Sequence, residues 1–361
     1  MNATISRSHL FFLIIKTQIG IGLLSLPSKI QSTAKGDAWI SVLIAGLAIQ
    51  FILLVYWRLL VKFPNQTLRD ITIRVLGRYL GKALNFIYFV FFIAIAGYAS
   101  ALYTQLIKTW MLSLTPSWVI LLLIIGTSVY LALESLSIIA RFFILTAVLF
   151  IFLFLISLLN FTNDVQLSNI LPVGQSGVKH ILLGSEKTFF SMLGFEVVLF
   201  FSAHVQQTPK GLLRVYTITN CFVTLFYTYF VFLCLVGFSP KALEQVNEPV
   251  LFIFKGLTYQ LFDRLDLIFL TVWIVPMTAT IVSYLCIAGK SLTTTQSSYR
   301  MMVGSSGLLI FLLAWYLTTL ENFDAFSKWL EYSYFIMITL IPIVLWLLSF
   351  LLKHTKKVGA I

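Results

Sequence analysis

Long apolar runs separated by short polar segments dominate this chain. Bounding each run by charged and turn residues gives ten segments, near residues 9–31, 38–61, 83–108, 117–135, 141–160, 184–203, 212–238, 264–289, 302–321 and 330–352. A helix of about 20 mainly apolar residues crosses a hydrocarbon core of about 30 Å. The pattern therefore predicts ten transmembrane helices in a single polytopic membrane domain spanning residues 1–361.

Composition supports the same class of protein. The chain is 59% hydrophobic and 11% charged, with a mean hydropathy of +0.96, whereas soluble domains average about 45–50% apolar and about 25% charged residues. The alternating segments of about ten residues that mark a membrane barrel are absent from the sequence. We therefore expect an all-α integral membrane protein and exclude a soluble globular chain.

The net charge of +12 does not indicate a nucleic-acid partner, because Lys and Arg lie between the apolar runs and form no continuous basic stripe. With a cytoplasmic N-terminus, 15 basic residues fall in inner segments and 9 in outer segments. The positive-inside rule then predicts that both termini are cytoplasmic.

The first predicted span carries two glycines near its middle, within the segment T-Q-I-G-I-G-L-L-S-L-P from Thr17 to Pro27. Gly20 and Gly22 each lower helix stability by about 1 kcal/mol relative to Ala. Within a membrane, any backbone group freed by a helix break must bond to protein, water or ligand. Close helix packing through small residues is the alternative interpretation.

The sixth predicted span reads S-M-L-G-F-E-V-V-L-F from Ser191 to Phe200 and has Gly194 at mid-span. Spans one and six hold equivalent places in two five-helix halves, about 9–160 and 184–352. Inverted-repeat transporters place paired broken helices around a midplane site in this arrangement. Free N–H groups at a half-helix start attract an anion such as a carboxylate, so an α-amino acid would suit the site.

Two ionisable residues lie inside predicted spans. Glu196 is interpreted either as a proton relay or cavity acid, or as a protonated carboxyl bonded to unwound backbone, since a carboxylate at membrane depth is costly. Lys16 could approach an aqueous vestibule, and snorkelling to the inner surface is the favoured interpretation.

The eighth span concentrates hydroxyl groups beside a helix-breaking proline, Pro276. Thr278, Thr280 and Ser283 could line a cavity or bind a coupling cation, although membrane Ser and Thr mostly bond their own helix. In span three, Tyr98 and Tyr103 could form an aromatic wall or simply pack with a satisfied hydroxyl.

Sequence motifs of other chemistries are missing. The chain has no GxxxxGK[ST], G-x-S-x-G or H-E-x-x-H motif and no Cys or His pattern for a metal site. We therefore predict a protein that is not an enzyme and that has no catalytic residues, cofactor or metal.

Several segments together resemble the B subunit of bacterial spore germinant receptors, within the amino acid/polyamine/organocation transporter superfamily. They are I-G-I-G-L-L-S-L-P in span one, D-A-W-I at Asp37, F-P-N-Q-T-L-R-D after span two, L-P-V-G at Leu171, M-L-G-F-E-V-V-L-F in span six and L-T-V-W-I in span eight. The resemblance covers essentially the whole chain.

This resemblance implies a ten-helix inverted-repeat permease fold that senses a nutrient germinant, usually an amino acid or a sugar, in the inner membrane of a spore. It implies a membrane-spanning A subunit and a lipoprotein C subunit as partners. The pocket residues of the family correspond here to Gly20, Gly22, Tyr98, Leu193, Gly194 and Thr280. Together with Ile21, Phe195 and Thr278, these form the predicted ligand-binding set.

Two other functions stay open on the sequence. A proton- or cation-coupled amino acid transporter would accumulate substrate without partners. A structural subunit or a water or ion conduit would bind no germinant.

Overall fold

A computed structural model describes residues 4–162, 165–206, 208–257, 264–320 and 324–351. Within these ranges the chain is helical, with short 3₁₀ and π segments. The α-helices are α1 Arg7–Gln18, α2 Gly22–Ala34, α3 Ala38–Lys62, α4 Leu68–Leu76, α5 Arg78–Trp110, α6 Ser117–Ala132, α7 Leu136–Leu145, α8 Val148–Leu158, α9 Gly177–Ser191, α10 Val198–Phe201, α11 Pro209–Gly237, α12 Pro240–Gln245, α13 Pro249–Lys255, α14 Leu265–Leu292, α15 Gln296–Thr319, α16 Asp324–Tyr334 and α17 Ile341–Leu348.

Seven helical segments of the described residues are long and apolar enough to cross a membrane: Gly22–Lys62, Arg78–Trp110, Leu136–Thr162, Pro209–Gly237, Leu265–Leu292, Gln296–Thr319 and Asp324–Leu348. Two shorter apolar helices, Ser117–Ala132 and Phe195–His204, overlap predicted spans four and six. The chain is thus an all-α membrane protein. Lys353, Lys356 and Lys357, which enter the charge count, and Leu352 at the end of span ten lie outside the described residues.

Long helices surround the short interrupted ones. Helix α14 packs against α5, α6 and α15, and α11 packs against α3. Helix α9 lies between α2 and α3, while α1 contacts α7, α11 and α14. Helix α1 is therefore enclosed by other helices, while α9 packs one face on α2 and α3 and leaves its opposite face exposed.

The two prolines in late helices behave differently from each other. Pro276 lies inside α14 without ending it, since α14 is continuous from Leu265 to Leu292. Pro342 follows a π-helical segment. Proline has no N–H, so Pro342 cannot make the helical hydrogen bond to the carbonyl of Ile338, four residues earlier. The Tyr56 hydroxyl donates to that carbonyl instead.

Two of the quoted motifs meet in space. Asp37, from D-A-W-I, is fully buried. Its carboxylate accepts hydrogen bonds from the backbone N–H of Gly174 at 2.7 Å and of Ser176 at 2.8 Å, so it fastens the loop containing L-P-V-G to the start of α3. The Asp37 carboxylate therefore serves the packing of this loop, whose N–H groups would otherwise lack partners.

Candidate functional site

The first interruption separates α1 from α2. Helix α1 ends at Gln18, Ile19 is extended with φ −85° and ψ 94°, and α2 begins at Gly22. Glycines on both sides of Ile21 weaken the helix here. The break exposes carbonyl groups at the end of α1 and N–H groups at the start of α2.

The second interruption follows α9. This helix ends at Ser191, and Gly194 has a left-handed backbone with φ +117°. A 3₁₀ turn, Phe195–Val197, and the short α10 continue the chain. Glycine is the residue that adopts this backbone without steric cost from a Cβ atom.

The two interruptions pack against each other reciprocally. A Cβ atom on Gly22 would lie 2.6 Å from the carbonyl oxygen of Ser191. A Cβ atom on Gly194 would lie 2.6 Å from the carbonyl carbon of Thr17. Because glycine has no Cβ atom, the start of α2 can contact the backbone at the end of α9, and the segment after α9 can contact the backbone at the end of α1.

Side chains from other helices cap the carbonyls at both breaks. The Tyr227 hydroxyl of α11 lies 2.8 Å from the carbonyl oxygen of Gln18 and 3.0 Å from that of Ser191. The Thr280 hydroxyl of α14 lies 3.3 Å from the carbonyl oxygen of Thr17. The Gln18 amide Nε2 donates to the carbonyl of Met192 at 3.2 Å. Bonds of this kind keep the broken ends stable in an apolar interior.

A cavity of about 900 Å³ adjoins both breaks. Its buried lining includes Thr17, Gln18, Leu24, Ile95, Met277, Thr280 and Tyr284. Its lining also includes exposed charged side chains, namely Lys29, Lys187, Asp324, Lys328 and Glu331. The cavity thus runs from a charged, solvent-accessible end to a buried end at the broken helices.

Most of the predicted ligand-binding residues share this cavity. Its lining includes Gly20, Ile21, Gly22, Tyr98, Leu193 and Thr280. The N–H groups that begin α2 belong to this part of the wall, where the helix start carries partial positive charge. The wall can therefore offer donors to an anion, as expected for a carboxylate.

Three predicted residues lie off the cavity wall. Gly194 packs against the backbone of Thr17 and Gln18. Phe195 is fully buried, with its ring 6.0 Å from that of Tyr56. Thr278 is half-buried on α14 and does not line the cavity, because residues two apart on a helix face different directions and Thr280 occupies the cavity face.

Glu196 is fully buried just behind the cavity wall. Its carboxyl oxygens lie 2.8 Å from the Tyr284 hydroxyl, 3.1 Å from the Tyr334 hydroxyl and 2.9 Å from the backbone N–H of Gly194. Glu196 therefore joins the second break to α14 and α16. The Gly194 N–H among these donors belongs to the non-helical segment that follows α9.

Lys16 does not snorkel, so the favoured interpretation of this residue is wrong. Its side chain is fully buried. The ammonium donates to the carbonyl of Thr146 at 3.0 Å and lies 3.9 Å from the centre of the Phe150 ring. Thr146 lies between α7 and α8, and Phe150 lies on α8. A further pair of consecutive helices therefore supplies the carbonyl and the ring that hold the cation.

Sequence reasoning missed three important residues: Gln18, Tyr227 and Tyr284. Gln18 adjoins the glycine motif, and a buried amide beside a helix break was the available signal. Tyr227 and Tyr284 carry no local signal, because each acts on a break far away in the sequence.

The cavity lining includes a carboxyl group outside the membrane-spanning segments. Glu248, at the start of α13, is half-buried. Burial raises the pKa of its carboxyl above the ordinary value, and a hydrogen bond from Trp110 partly opposes that rise.

The spore germination protein family model matches residues 4–315. The chain belongs to this family. GerQB, a spore germination protein of Bacillus cereus, is 25% identical over 351 residues, covering 96% of this chain and 95% of that protein. Spore germination protein B2 of Bacillus subtilis (strain 168) is 24% identical over 359 residues, covering 96% of this chain and 95% of that protein.

Solved transporters share the fold of this spore germination protein family member. A Na⁺-coupled sialic acid symporter aligns with a TM-score of 0.69 and 11% identity, covering 94% of this chain and 78% of that chain. MhsT in complex with L-phenylalanine aligns with a TM-score of 0.66 and 14% identity, covering 96% and 89%. These likenesses establish a transporter-like fold for a family that is not enzymatic.

Proposed function

We propose that this chain is the germinant-sensing B subunit of a spore germinant receptor and that it binds a small nutrient, an amino acid, in the cavity at the two helix interruptions. The observation that carries the proposal is the cavity of about 900 Å³ that borders both breaks in a spore germination family member. Its volume lies within the range of about 300–1,000 Å³ typical of small-molecule sites.

The proposal includes a topology. The α1–α2 and α9–α10 segments would be broken spans one and six of a ten-span, five-plus-five inverted repeat, with repeats near 9–160 and 184–352. The chain would lie in the spore inner membrane with both termini on the core side. The A and C subunits of the receptor would be its partners.

The contacts at the breaks suggest how binding would be sensed. A ligand carboxylate at the N–H groups of Gly20 to Gly22 would touch α2 directly. Glu196 links the neighbouring break to Tyr284 on α14 and Tyr334 on α16. A ligand that binds one arrangement of these elements more tightly would shift the population toward it and so signal to the partner subunits.

A leucine at Gly20 tests this function. Gly20 and Thr280 both line the cavity, and the Cβ position of Gly20 already touches the Thr280 hydroxyl oxygen at 3.4 Å, so a leucine side chain at residue 20 would take up cavity space. Spores carrying Gly20→Leu, with other B-subunit genes deleted, should fail to germinate on the nutrients that trigger the wild type.

Gly126→Leu is the matched control, since Gly126 is exposed on α6 with no atom within 4 Å of its Cβ position. Those spores should germinate normally. Normal germination of the Gly20→Leu spores, with the subunit present at wild-type level, would refute the proposed site.

A coupled amino acid transporter is the second candidate. The hydroxyl oxygens of Thr17 and Ser283 lie 2.7 Å apart where α1 meets α14, and the fold is that of solved symporters. Accumulation of amino acid by the purified chain alone in liposomes would favour this function, and Glu196→Gln would then change proton coupling.

A further inference from the structure

The side-chain amide of Gln18 is half satisfied. Gln18 is the last residue of α1 and is 2% exposed. Its Nε2 donates to the Met192 carbonyl across the second break, at 3.2 Å. Its Oε1 is buried and has no hydrogen-bond partner. A buried acceptor without a partner is destabilising, because it has lost its hydrogen bond to water and gained none in return.

The orientation of this amide follows from its neighbour. Turning the group over would place Oε1 against the Met192 carbonyl oxygen, and two acceptors cannot bond to each other. The NH₂ group must therefore face Met192. The unsatisfied atom is thus an acceptor, and its missing partner is a donor.

Two hydroxyl groups lie near carbonyls at the breaks. The Tyr227 hydroxyl is within hydrogen-bond distance of the Gln18 and Ser191 carbonyls, and the Thr280 hydroxyl is within that distance of the Thr17 and Pro276 carbonyls. Each hydroxyl has a single hydrogen to share between these carbonyls. Among the cavity-lining residues that the structure describes, Gln18 alone has a buried side-chain nitrogen or oxygen without a partner. Gln18 lines the cavity, so a ligand donor that reaches its side chain would supply the bond that Oε1 lacks.

We infer that Gln18 Oε1 accepts a hydrogen bond from the ammonium group of the ligand and thereby selects α-amino acids over carboxylic acids that lack the amino group. The inference rests on the proposed function and adds the residue that recognises the amine. Gln18, Gly20 and Gly22 line the same cavity, so one amino acid bound there would place its ammonium at Gln18 and its carboxylate at the N–H groups of Gly20 to Gly22.

The full-length chain in lipid nanodiscs provides the test. Binding is first measured against the twenty common amino acids, D-glucose and D-fructose, and then the best-bound amino acid is compared with the same acid lacking its amino group. Hydrogen bonds to charged groups contribute about 1.5–3 kcal/mol, which is about 10- to 150-fold in affinity. The wild type should prefer the amino acid by at least that factor, and Gln18→Met should weaken amino acid binding about 10- to 150-fold while leaving the weak affinity for the des-amino acid unchanged.

Gln31→Met is a matched control. Gln31 is also buried on an interrupted segment, α2, with an unpartnered Oε1, but it does not line the cavity. This variant should keep the wild-type preference. A general effect of burying methionine in place of glutamine would instead change both variants alike and would overturn the assignment.

The outcomes separate the two proposals. If none of the probes binds the wild type, the proposed function falls and the role of Gln18 falls with it. If an amino acid binds but the des-amino acid binds equally well, the role of Gln18 alone is wrong, and this result needs no variant to fold. Retention of the preference by Gln18→Met also overturns the role of Gln18 alone.

Discussion

The contact between Gly194 and the end of α1 predicts a strong effect of the smallest possible substitution. In Gly194→Ala, the new Cβ atom would meet three backbone atoms: the Thr17 carbonyl carbon at 2.6 Å, the Gln18 nitrogen at 2.7 Å and the Thr17 oxygen at 2.7 Å. Because none of these belongs to a flexible side chain, the two breaks must move apart.

Two costs add at this position. Overpacking a close-packed interior costs about 1–3 kcal/mol. The left-handed backbone, with φ +117°, costs a non-glycine residue about 1–3 kcal/mol more. We therefore expect Gly194→Ala to reduce the free energy of unfolding by about 2–6 kcal/mol and to lower binding of any cavity ligand.

The assay is the apparent midpoint of thermal unfolding of the purified chain in detergent, followed by tryptophan fluorescence at one fixed scan rate. Gly126→Ala is the control, because Gly126 lies exposed in α6 with open space around its Cβ position, and alanine there favours the helix by up to about 1 kcal/mol. A Gly194→Ala midpoint equal to or above that of Gly126→Ala would refute the reciprocal packing of the breaks.

Two further predictions concern Tyr227 and Glu248. Tyr227→Phe removes the hydroxyl that caps the end carbonyls of α1 and α9. The free energy of unfolding should fall by about 1–3 kcal/mol, and the same assay should show a lower midpoint. Tyr130→Phe, at an exposed tyrosine, should leave the midpoint unchanged, and equal midpoints for the two variants would contradict the capping role. Because burial raises the pKa of Glu248, the folded state binds the carboxyl proton more tightly than the unfolded state does. The protonated Glu248 therefore stabilises the fold fully below the unfolded pKa of about 4.3, and this stabilisation is lost as the pH rises through the folded pKa. The midpoint of wild type relative to Glu248→Gln should accordingly fall as the pH rises from about 4 through the folded pKa. A constant difference would contradict the burial of this carboxyl.

Local signals predicted the class of the protein, an all-α membrane chain. Apolar runs of spanning length identify membrane helices because the bilayer requires them whatever their neighbours are. Gly20, Gly22 and Gly194 marked the interruptions because the lack of a Cβ atom acts on the backbone within a few residues. Helical spacing also argues against one pair in the predicted ligand-binding set. Thr278 and Thr280 are two residues apart on one helix, so they cannot both face one cavity.

The sequence by itself thus determined an apolar, helical membrane chain with weak points in the first and sixth apolar runs. Tertiary structure decided what stabilises those weak points: Tyr227 is 209 residues from the Gln18 carbonyl that it caps, and the Thr146 carbonyl that holds Lys16 is 130 residues away. Such pairings depend on how each helix is rotated and packed against its neighbours, which helical periodicity does not specify. That packing also left Gln18 Oε1 as the unpaired acceptor beside the cavity.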